Sequence, residues 1–158
     1  MKILVVFYSR SGNTRRVAEE IRNTIDCDIE ELIDTQNRSG PLGYMRSIIH
    51  AMKKTPAKLK EIKNDPANYD ITIIGTPVWN MRMSTPIRTY ITQNRAKFNN
   101  VAFFGTSMSA PLDGTFNEMT ELSGVSPLAK LSLRGKENKD GSSKSKVAEF
   151  IEIINSTS

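Results

Sequence analysis

Short apolar runs alternate along the chain with segments of helical periodicity. The five runs are ILVVF at 3–7, IEELI at 29–33, ITII at 71–74, VAFF at 101–104 and LAKLSL at 128–133. The second and the fifth contain charged residues, and the other three contain none. Uncharged runs are typical of strands covered on both faces, and charged runs are typical of the edges of a sheet. The pattern therefore predicts strands that are buried, edge, buried, buried and edge in chain order.

This order of buried and edge strands selects one arrangement of a parallel sheet. A doubly wound sheet with spatial order 2-1-3-4-5 places strands 1, 3 and 4 inside and strands 2 and 5 outside. The six-stranded order 3-2-1-4-5-6 would bury strand 2, which disagrees with its charge. The sequence thus predicts an α/β fold of three layers, with a doubly wound, five-stranded parallel sheet of order 2-1-3-4-5.

The connecting segments have the spacing of amphipathic helices. Apolar residues recur on one face of each predicted helix, around residues 17–25, 42–52, 87–91, 116–122 and 147–154. Thr85 before Pro86 predicts an N-cap followed by a first-turn proline, and Gly124 predicts the end of the fourth helix. In the second helix the apolar side comprises Leu42, Met45, Ile48, Ile49 and Met52. Whether that side forms a dimer interface is left open, and His50 beside it is interpreted as structural.

Length and composition indicate one domain, 1–158, in a cytoplasmic protein. The chain has 158 residues, and its apolar runs are too short to cross a bilayer. Met1 leads directly into the first strand without the pattern of a targeting segment. Cys27 is the only cysteine, so an intramolecular disulfide is excluded and a reducing compartment fits. We expect no membrane partner.

The net charge of +5 is concentrated in one stretch of the chain. Residues 46–63 contain six basic residues and one acidic residue, while the rest of the sequence is balanced. An acidic cluster precedes this basic segment: Glu19, Glu20, Asp26, Asp28, Glu30, Glu31 and Asp34. A basic segment can attract nucleic acid or an anionic surface, but a solvated face matched to the acidic cluster is the favoured interpretation. No nucleic-acid partner is expected.

A polar loop, SRSGNT at 9–14, follows the first predicted strand. In an open α/β sheet, ligands bind beyond the carboxyl ends of the strands where the strand order reverses, here between strands 1 and 3. The loop offers hydroxyl, amide and backbone N–H donors beside a helix N-terminus, and Gly12 permits a positive φ. This chemistry suits a phosphate better than a simple helix cap. The loop lacks the GK[ST] ending of a P-loop and the three-glycine GxGxxG spacing of a dinucleotide-binding motif.

The loops after strands 3 and 4 should line the same crevice. The second loop, 75–86, contains Trp79, the only tryptophan, together with Arg82. The third loop, 105–114, adds hydroxyl groups and Met108. A phosphate nest at one end and a flat apolar surface at the other describe a site for flavin mononucleotide (FMN).

The motifs YSRSGNT, GTPVW and FFGTS, placed after strands 1, 3 and 4, resemble those of the flavodoxin-like family over essentially the whole chain. The resemblance implies that the FMN phosphate is held by Ser9, Arg10, Ser11, Gly12, Asn13 and Thr14. It also implies contacts to the ribityl chain and the ring from Thr76, Pro77, Val78, Trp79 and Asn80, with the third loop around Thr106, Ser107 and Met108 closing over the ring. Asn80 tolerates left-handed geometry and is the candidate hinge of the second loop. No catalytic side chain and no metal are implied.

Two features depart from electron-carrying flavodoxins, which are typically acidic and stack a tyrosine of the third loop on the flavin. This chain has a pI near 9.4, and residues 105–114 contain no aromatic residue. The first hypothesis is a carrier that passes electrons between redox proteins, as a monomer or a homodimer. The alternative is an NAD(P)H-dependent flavin or quinone reductase, with Arg82 or residues 46–63 binding the dinucleotide phosphates. A third hypothesis is a module that binds a nucleotide or a partner without redox turnover.

Overall fold

The computed structural model describes residues 1–138 and 142–157. The strands are β1 (Ile3–Phe7), β2 (Asp28–Glu31), β3 (Ile71–Trp79), β4 (Arg82–Met83), β5 (Asn100–Ser107) and β6 (Pro127–Arg134). The helices are α1 (Asn13–Thr24), α2 (Gly40–Lys53), α3 (Thr85–Asn94), α4 (Asp113–Ser123) and α5 (Ser143–Ser156). Short 3₁₀ turns cover Pro66–Asn68, Arg95–Lys97 and Gly135–Asn138.

The five long strands form a parallel sheet in the order β2-β1-β3-β5-β6, and the two-residue strand β4 pairs antiparallel with β3. The predicted arrangement of the five parallel strands is confirmed. One face of the sheet packs against α1 and α5, and the other packs against α3, α4 and part of α2. These three layers bury β1, β3 and β5, as their uncharged sequences indicated.

Two of the central strands run further than the apolar runs indicated. β3 continues from the predicted end at residue 74 to Trp79, and β5 continues to Ser107. Gly75 permits this extension, because it has no side chain to collide with Phe104 of the neighbouring strand. A Cβ atom at position 75 would lie 2.0 Å from the Phe104 ring. Much of the predicted second loop therefore belongs to β3. The first residues of the predicted third loop belong to β5 and pair with this extended part of β3.

Helix ends agree with the sequence in most places. Gly124 ends α4 with a φ of +74°, as predicted. The prediction that Thr85 caps α3 was wrong, because Ser84 occupies the N-cap position and Thr85 is already helical. Ser84 is held there by its backbone N–H, which donates to the Thr76 hydroxyl at 2.9 Å. Ser84 and Thr85 both have the hydroxyl group that favours an N-cap, and the tertiary hydrogen bond to Thr76 determines that Ser84 takes this position.

Helix α2 packs on the protein through small residues and turns its large apolar residues outward. The buried side consists of Gly43, Ser47 and Ala51, spaced four residues apart. The apolar residues exposed on the opposite side are Leu42 (84%), Met45 (55%), Ile49 (43%) and Met52 (56%). We call these four side chains the α2 apolar stripe. No helix in the described ranges, 1–138 and 142–157, is long and apolar enough to span a membrane.

The basic segment that follows α2 lies beside the edge strand β2. The N–H of Thr35 donates to the carbonyl of Lys58, and the N–H of Lys60 donates to the carbonyl of Ile33, both at 2.9 Å. The buried carboxylate of Glu30 accepts hydrogen bonds from the backbone N–H groups of residues 63 and 64. The basic and acidic segments are thus neighbours, and the basic segment makes these contacts with its backbone groups rather than with its charged side chains.

Candidate functional site

The first polar loop forms a turn that opens directly into α1. Gly12 has a φ of +100°, and its N–H donates to the Ser9 hydroxyl at 3.1 Å. The first bond within α1 runs from the N–H of Arg16 to the carbonyl of Gly12 at 3.0 Å, and no side chain of the described residues caps the helix. The N–H groups of the first helical turn therefore lack partners within the helix and are directed beyond its N-terminus. This is the arrangement that binds a phosphate.

The second segment is a tight hairpin rather than an open loop. Val78 pairs with Met83 and Trp79 pairs with Arg82, so only Asn80 and Met81 form the turn. Both turn residues are left-handed, with φ of +49° and +61°. We call residues 79–82 the flavin-side hairpin. The left-handed geometry predicted for Asn80 is confirmed, and Met81 shares it.

Trp79 lies largely inside the protein. It is 3% exposed, packs edge-on against Tyr8 with the ring centroids 5.6 Å apart, and has the guanidinium of Arg38 5.5 Å from its ring centroid. Arg38 is itself buried and pairs with Asp34 at 2.5 Å. The tryptophan thus forms part of the wall of the site, supported from behind by a ring and an ion pair.

The third segment meets the first at the ends of β5 and α1. The hydroxyls of Thr14 and Thr106 are hydrogen-bonded at 2.8 Å in a buried position. Ser107 donates to the carbonyl of Ala110 at 2.7 Å, which folds the segment back on itself. Met108 is 77% exposed at the rim.

These three segments surround one cavity. Ten of the predicted site residues line it: Arg10, Ser11, Asn13, Thr14, Pro77, Val78, Trp79, Thr106, Ser107 and Met108. The other four predicted residues, Ser9, Gly12, Thr76 and Asn80, are neighbours of the lining and not part of it. Thr76 is fully buried, and its hydroxyl donates to the carbonyl of Pro77 at 2.8 Å, so in this structure it shapes the strand end.

Tyr44 of α2 also lines the cavity, and sequence reasoning did not find it. Its ring lies 5.2 Å from the guanidinium carbon of Arg10, within the range of a cation–π contact. Tyr44 is the only aromatic residue between Thr35 and Pro66. A single aromatic residue in this stretch was the available sequence signal for Tyr44, but the periodicity of α2 did not show which side of the helix faces the site.

The electrostatic character of the cavity suits an anion. Its described lining includes the cation Arg10 and no carboxylate. Burial raises the pKa of the neighbouring Tyr8 phenol, which therefore stays neutral. His50, on the same helix as Tyr44, has its pKa lowered by burial and then by Arg38. The hydroxyls, the free helix N–H groups and one guanidinium match a phosphate, and the apolar wall matches a flat ring.

The fold and this cavity define an open α/β protein with its polar site where the strand order reverses. The chain belongs to the flavodoxin family, because the family's sequence model, described as Flavodoxin, matches residues 2–154. The resemblance predicted from the three motifs is confirmed. No curated protein matches the sequence.

Solved structures agree with this assignment. A flavoprotein from Lactobacillus acidophilus, determined in complex with FMN, is 27% identical, with a TM-score of 0.72 over 90% of this chain and 99% of that one. A flavoprotein from Bacteroides eggerthii is 22% identical, with a TM-score of 0.82 and coverage of 98% of both chains. Oxidised flavodoxin 2 from Bacillus cereus is 16% identical, with a TM-score of 0.62 over the full length of both. The last two support the fold alone.

Proposed function

We propose that this protein binds FMN and carries electrons between redox partners. The observation that carries the proposal is the convergence of three segments on one cavity that offers free helix N–H groups, Arg10 and no carboxylate among its described lining residues. The 27% identical flavoprotein from Lactobacillus acidophilus was determined with FMN, which supports the choice of ligand. When bound, the flavin ring supplies the one- and two-electron chemistry.

The residues of this chain bind and orient the cofactor. The loop from Ser9 to Thr14 takes the phosphate with backbone N–H and hydroxyl donors, and Arg10 adds a positive charge. Residues 76–80 and 106–108 flank the ribityl chain and the ring. Trp79 and Tyr44 supply apolar surface to the ring side of the cavity. We propose that the protein works in the cytosol, because a chain whose only cysteine is Cys27 fits a reducing compartment.

A docking surface for the partner adjoins this cavity. The α2 apolar stripe is exposed, and the helix that bears it also contributes Tyr44 to the cavity. Exposed apolar patches of this kind usually mark an interaction site. No acidic residue occurs between Thr35 and Lys60, while Arg46, Lys53 and Lys54 lie on or directly after α2. The surface therefore suits a redox protein with an acidic docking face, and a second copy of this chain is the alternative occupant.

A second candidate function is an NAD(P)H-dependent flavin or quinone reductase. Arg82 of the flavin-side hairpin has a side chain that is 41% exposed and lies 3.6 Å from the Glu118 carboxylate. The ammonium of Lys54 lies 4.0 Å from the same carboxylate. These two cations favour an anionic substrate, such as a dinucleotide phosphate, close to the cavity. A module that binds a nucleotide without redox turnover is the third possibility.

One titration separates these functions. The purified protein, loaded with FMN if required, is reduced stepwise with dithionite under anaerobic conditions, and NADPH is then added to a separate oxidised sample. A flavin spectrum that NADPH does not bleach supports the carrier. Rapid bleaching by NADPH identifies the reductase instead. Failure to take up FMN by a folded protein contradicts both and leaves the binding module.

A further inference from the structure

The flavin-side hairpin is held from outside by one face of helix α4. The Thr115 hydroxyl donates a hydrogen bond to the carbonyl oxygen of Met81 at 3.1 Å. Three residues further along α4, the Glu118 carboxylate lies 3.6 Å from the guanidinium of Arg82. Residues three apart share a helix face, so both contacts come from the same side of α4. The two hairpin residues contacted are adjacent in sequence.

The conformation of the hairpin explains why such support is needed. Two-residue hairpins with both residues left-handed favour glycine at the second position, because a side chain disfavours that geometry. Here the second position is Met81, whose φ is +61° and whose side chain is 60% exposed. An exposed side chain gives the turn little packing of its own. Disfavoured backbone conformations persist when surrounding contacts determine them.

Of the two α4 contacts, the one from Thr115 is the stronger constraint. Thr115 is 1% exposed, so the donor of this hydrogen bond is shielded from competing water. Arg82 is 41% exposed at the side chain, and ion pairs of exposed groups contribute little. Glu118 also pairs with the nearly buried Arg88, so that carboxylate is fixed even without Arg82.

We infer that Thr115 is a positioning residue that holds the flavin-side hairpin in the conformation the cofactor requires. The hairpin contributes Trp79 to the cavity wall, and Asn80 follows it directly. Loss of the hydroxyl frees the Met81 carbonyl and lets the turn leave its left-handed geometry. The part of the inference that concerns FMN rests on the proposed function, whereas the support of the hairpin by Thr115 does not.

The variant Thr115→Val tests this, because it removes the hydroxyl and keeps the shape of the side chain. Thr115→Ser restores the donor and serves as the rescue. Thr120→Val is the matched control, since the Thr120 hydroxyl donates within α4 to the carbonyl of Phe116 at 2.8 Å and not to the hairpin. Hydrogen exchange of peptides covering residues 77–84 is measured on the FMN-free protein, and FMN affinity is measured by fluorescence titration.

In Thr115→Val we expect exchange in residues 77–84 to accelerate roughly fivefold and FMN affinity to fall by a similar factor, as for one lost hydrogen bond. Thr115→Ser should return both values toward those of the wild type, and Thr120→Val should change neither. Where the loss of affinity differs between oxidised FMN and its two-electron-reduced form, each tenfold difference shifts the two-electron midpoint potential by about 30 mV.

The outcomes separate this inference from the proposed function. Wild-type exchange rates in Thr115→Val would overturn the role of Thr115, whatever the affinity for FMN. Faster exchange with unchanged FMN affinity would also overturn it, because the hairpin position would then not matter to the cofactor. If the wild-type protein does not bind FMN, the proposed function fails, and the exchange rates alone decide whether Thr115 holds the hairpin.

Discussion

Gly12 combines a left-handed backbone with open space around its Cα. Its φ is +100°, and a Cβ atom added there would have no neighbour within 4 Å. A substitution by alanine therefore tests backbone strain without a steric clash. We expect Gly12→Ala to lower the free energy of unfolding by about 1 kcal/mol and to weaken FMN binding, because the turn must relax. Chemical denaturation and FMN titration measure the two effects.

Gly114 is the matched control for this substitution. An added Cβ would again meet nothing within 4 Å, but Gly114 lies in α4 and has no positive φ. Gly114→Ala should leave FMN binding unchanged and should be neutral or slightly stabilising, since alanine favours a helix. Equal losses in both variants would show that the backbone conformation of Gly12 is unimportant.

The backbone conformation of a single residue could be predicted from the sequence where the type of that residue determines it. Gly12 and Asn80 were expected to tolerate left-handed geometry, and both adopt it. Met81 was not foreseen there, because its conformation depends on the hairpin and on Thr115, which is 34 positions away in sequence. Tyr44 was missed for a similar reason, since only the packing of α2 brings it to Arg10.

Helix α2 shows what the periodicity of an element can and cannot predict. The sequence gives an amphipathic helix, and large apolar residues normally face the core. In α2 the side that contains Gly43 faces the protein instead. The helix lies so close to Arg38 that a Cβ atom at position 43 would be 2.2 Å from the Arg38 carbonyl carbon. The small side of α2 therefore approaches the protein closely, and the larger apolar side chains remain outside.

The α2 apolar stripe should contribute little to the stability of the isolated chain. Ile49 is 43% exposed, whereas Ile91 of α3 is fully buried. We expect Ile49→Ala to change the free energy of unfolding by no more than about 0.5 kcal/mol. Ile91→Ala should cost about 2–5 kcal/mol, because it leaves a cavity in the core. Urea denaturation compares the two, and a large loss for Ile49→Ala would mean that the stripe is covered in solution.

Close approach at Gly43 gives a second prediction for this element. Gly43→Ala places a methyl group 2.4 Å from the carbonyl oxygen of Arg38, so α2 must move. We expect a destabilisation of about 1–3 kcal/mol and weaker FMN binding, since Tyr44 moves with the helix. Denaturation and FMN titration measure both, with Gly114→Ala again as the control. Unchanged stability would indicate that residues 38–43 adapt without strain.

For the molecule as a whole, the order of the sheet was the most predictable feature. Charge separates edge strands from central strands because a central strand of a covered sheet is buried on both faces. Lys130 of β6 is exposed, as this argument requires. Glu30 of β2 is buried even so, because the segment after α2 covers that edge and satisfies its carboxylate. The charge pattern matched the basic segment to the acidic cluster, but it did not indicate that backbone N–H groups of this segment would bind the Glu30 carboxylate.

Alkaline pH should destabilise the whole fold through its buried tyrosines. Burial, and then a hydrogen bond to Asp28, raises the pKa of Tyr69 to about 12, and burial also raises the pKa of Tyr90. Because an unfolded tyrosine has a pKa of about 10, the unfolded chain loses these protons first, and stability falls as the pH rises from about 10 to 12. Urea denaturation at pH 8, 10 and 11 measures the fall.

Tyr90→Phe isolates one of these two contributions. The Tyr90 hydroxyl is buried and has no hydrogen-bond partner among the described residues. Its removal should therefore be neutral or slightly stabilising at pH 8, and the fall above pH 10 should become shallower. A variant as sensitive to alkaline pH as the wild type would assign the effect to other groups.

The segment that covers β2 also has a consequence for self-assembly. An unpaired sheet edge is a template on which another chain can add a strand, and repetition of that step builds fibrils. Directly after β2, the backbone of Lys58 and Lys60 bonds residues 35 and 33, in positions that an added strand would need. The N–H groups of residues 63 and 64 bind the Glu30 carboxylate, which keeps the segment against this edge. The lysines of this segment add charge repulsion between copies. We therefore expect the segment that carries the basic excess to hinder ordered polymerisation at this edge of the sheet.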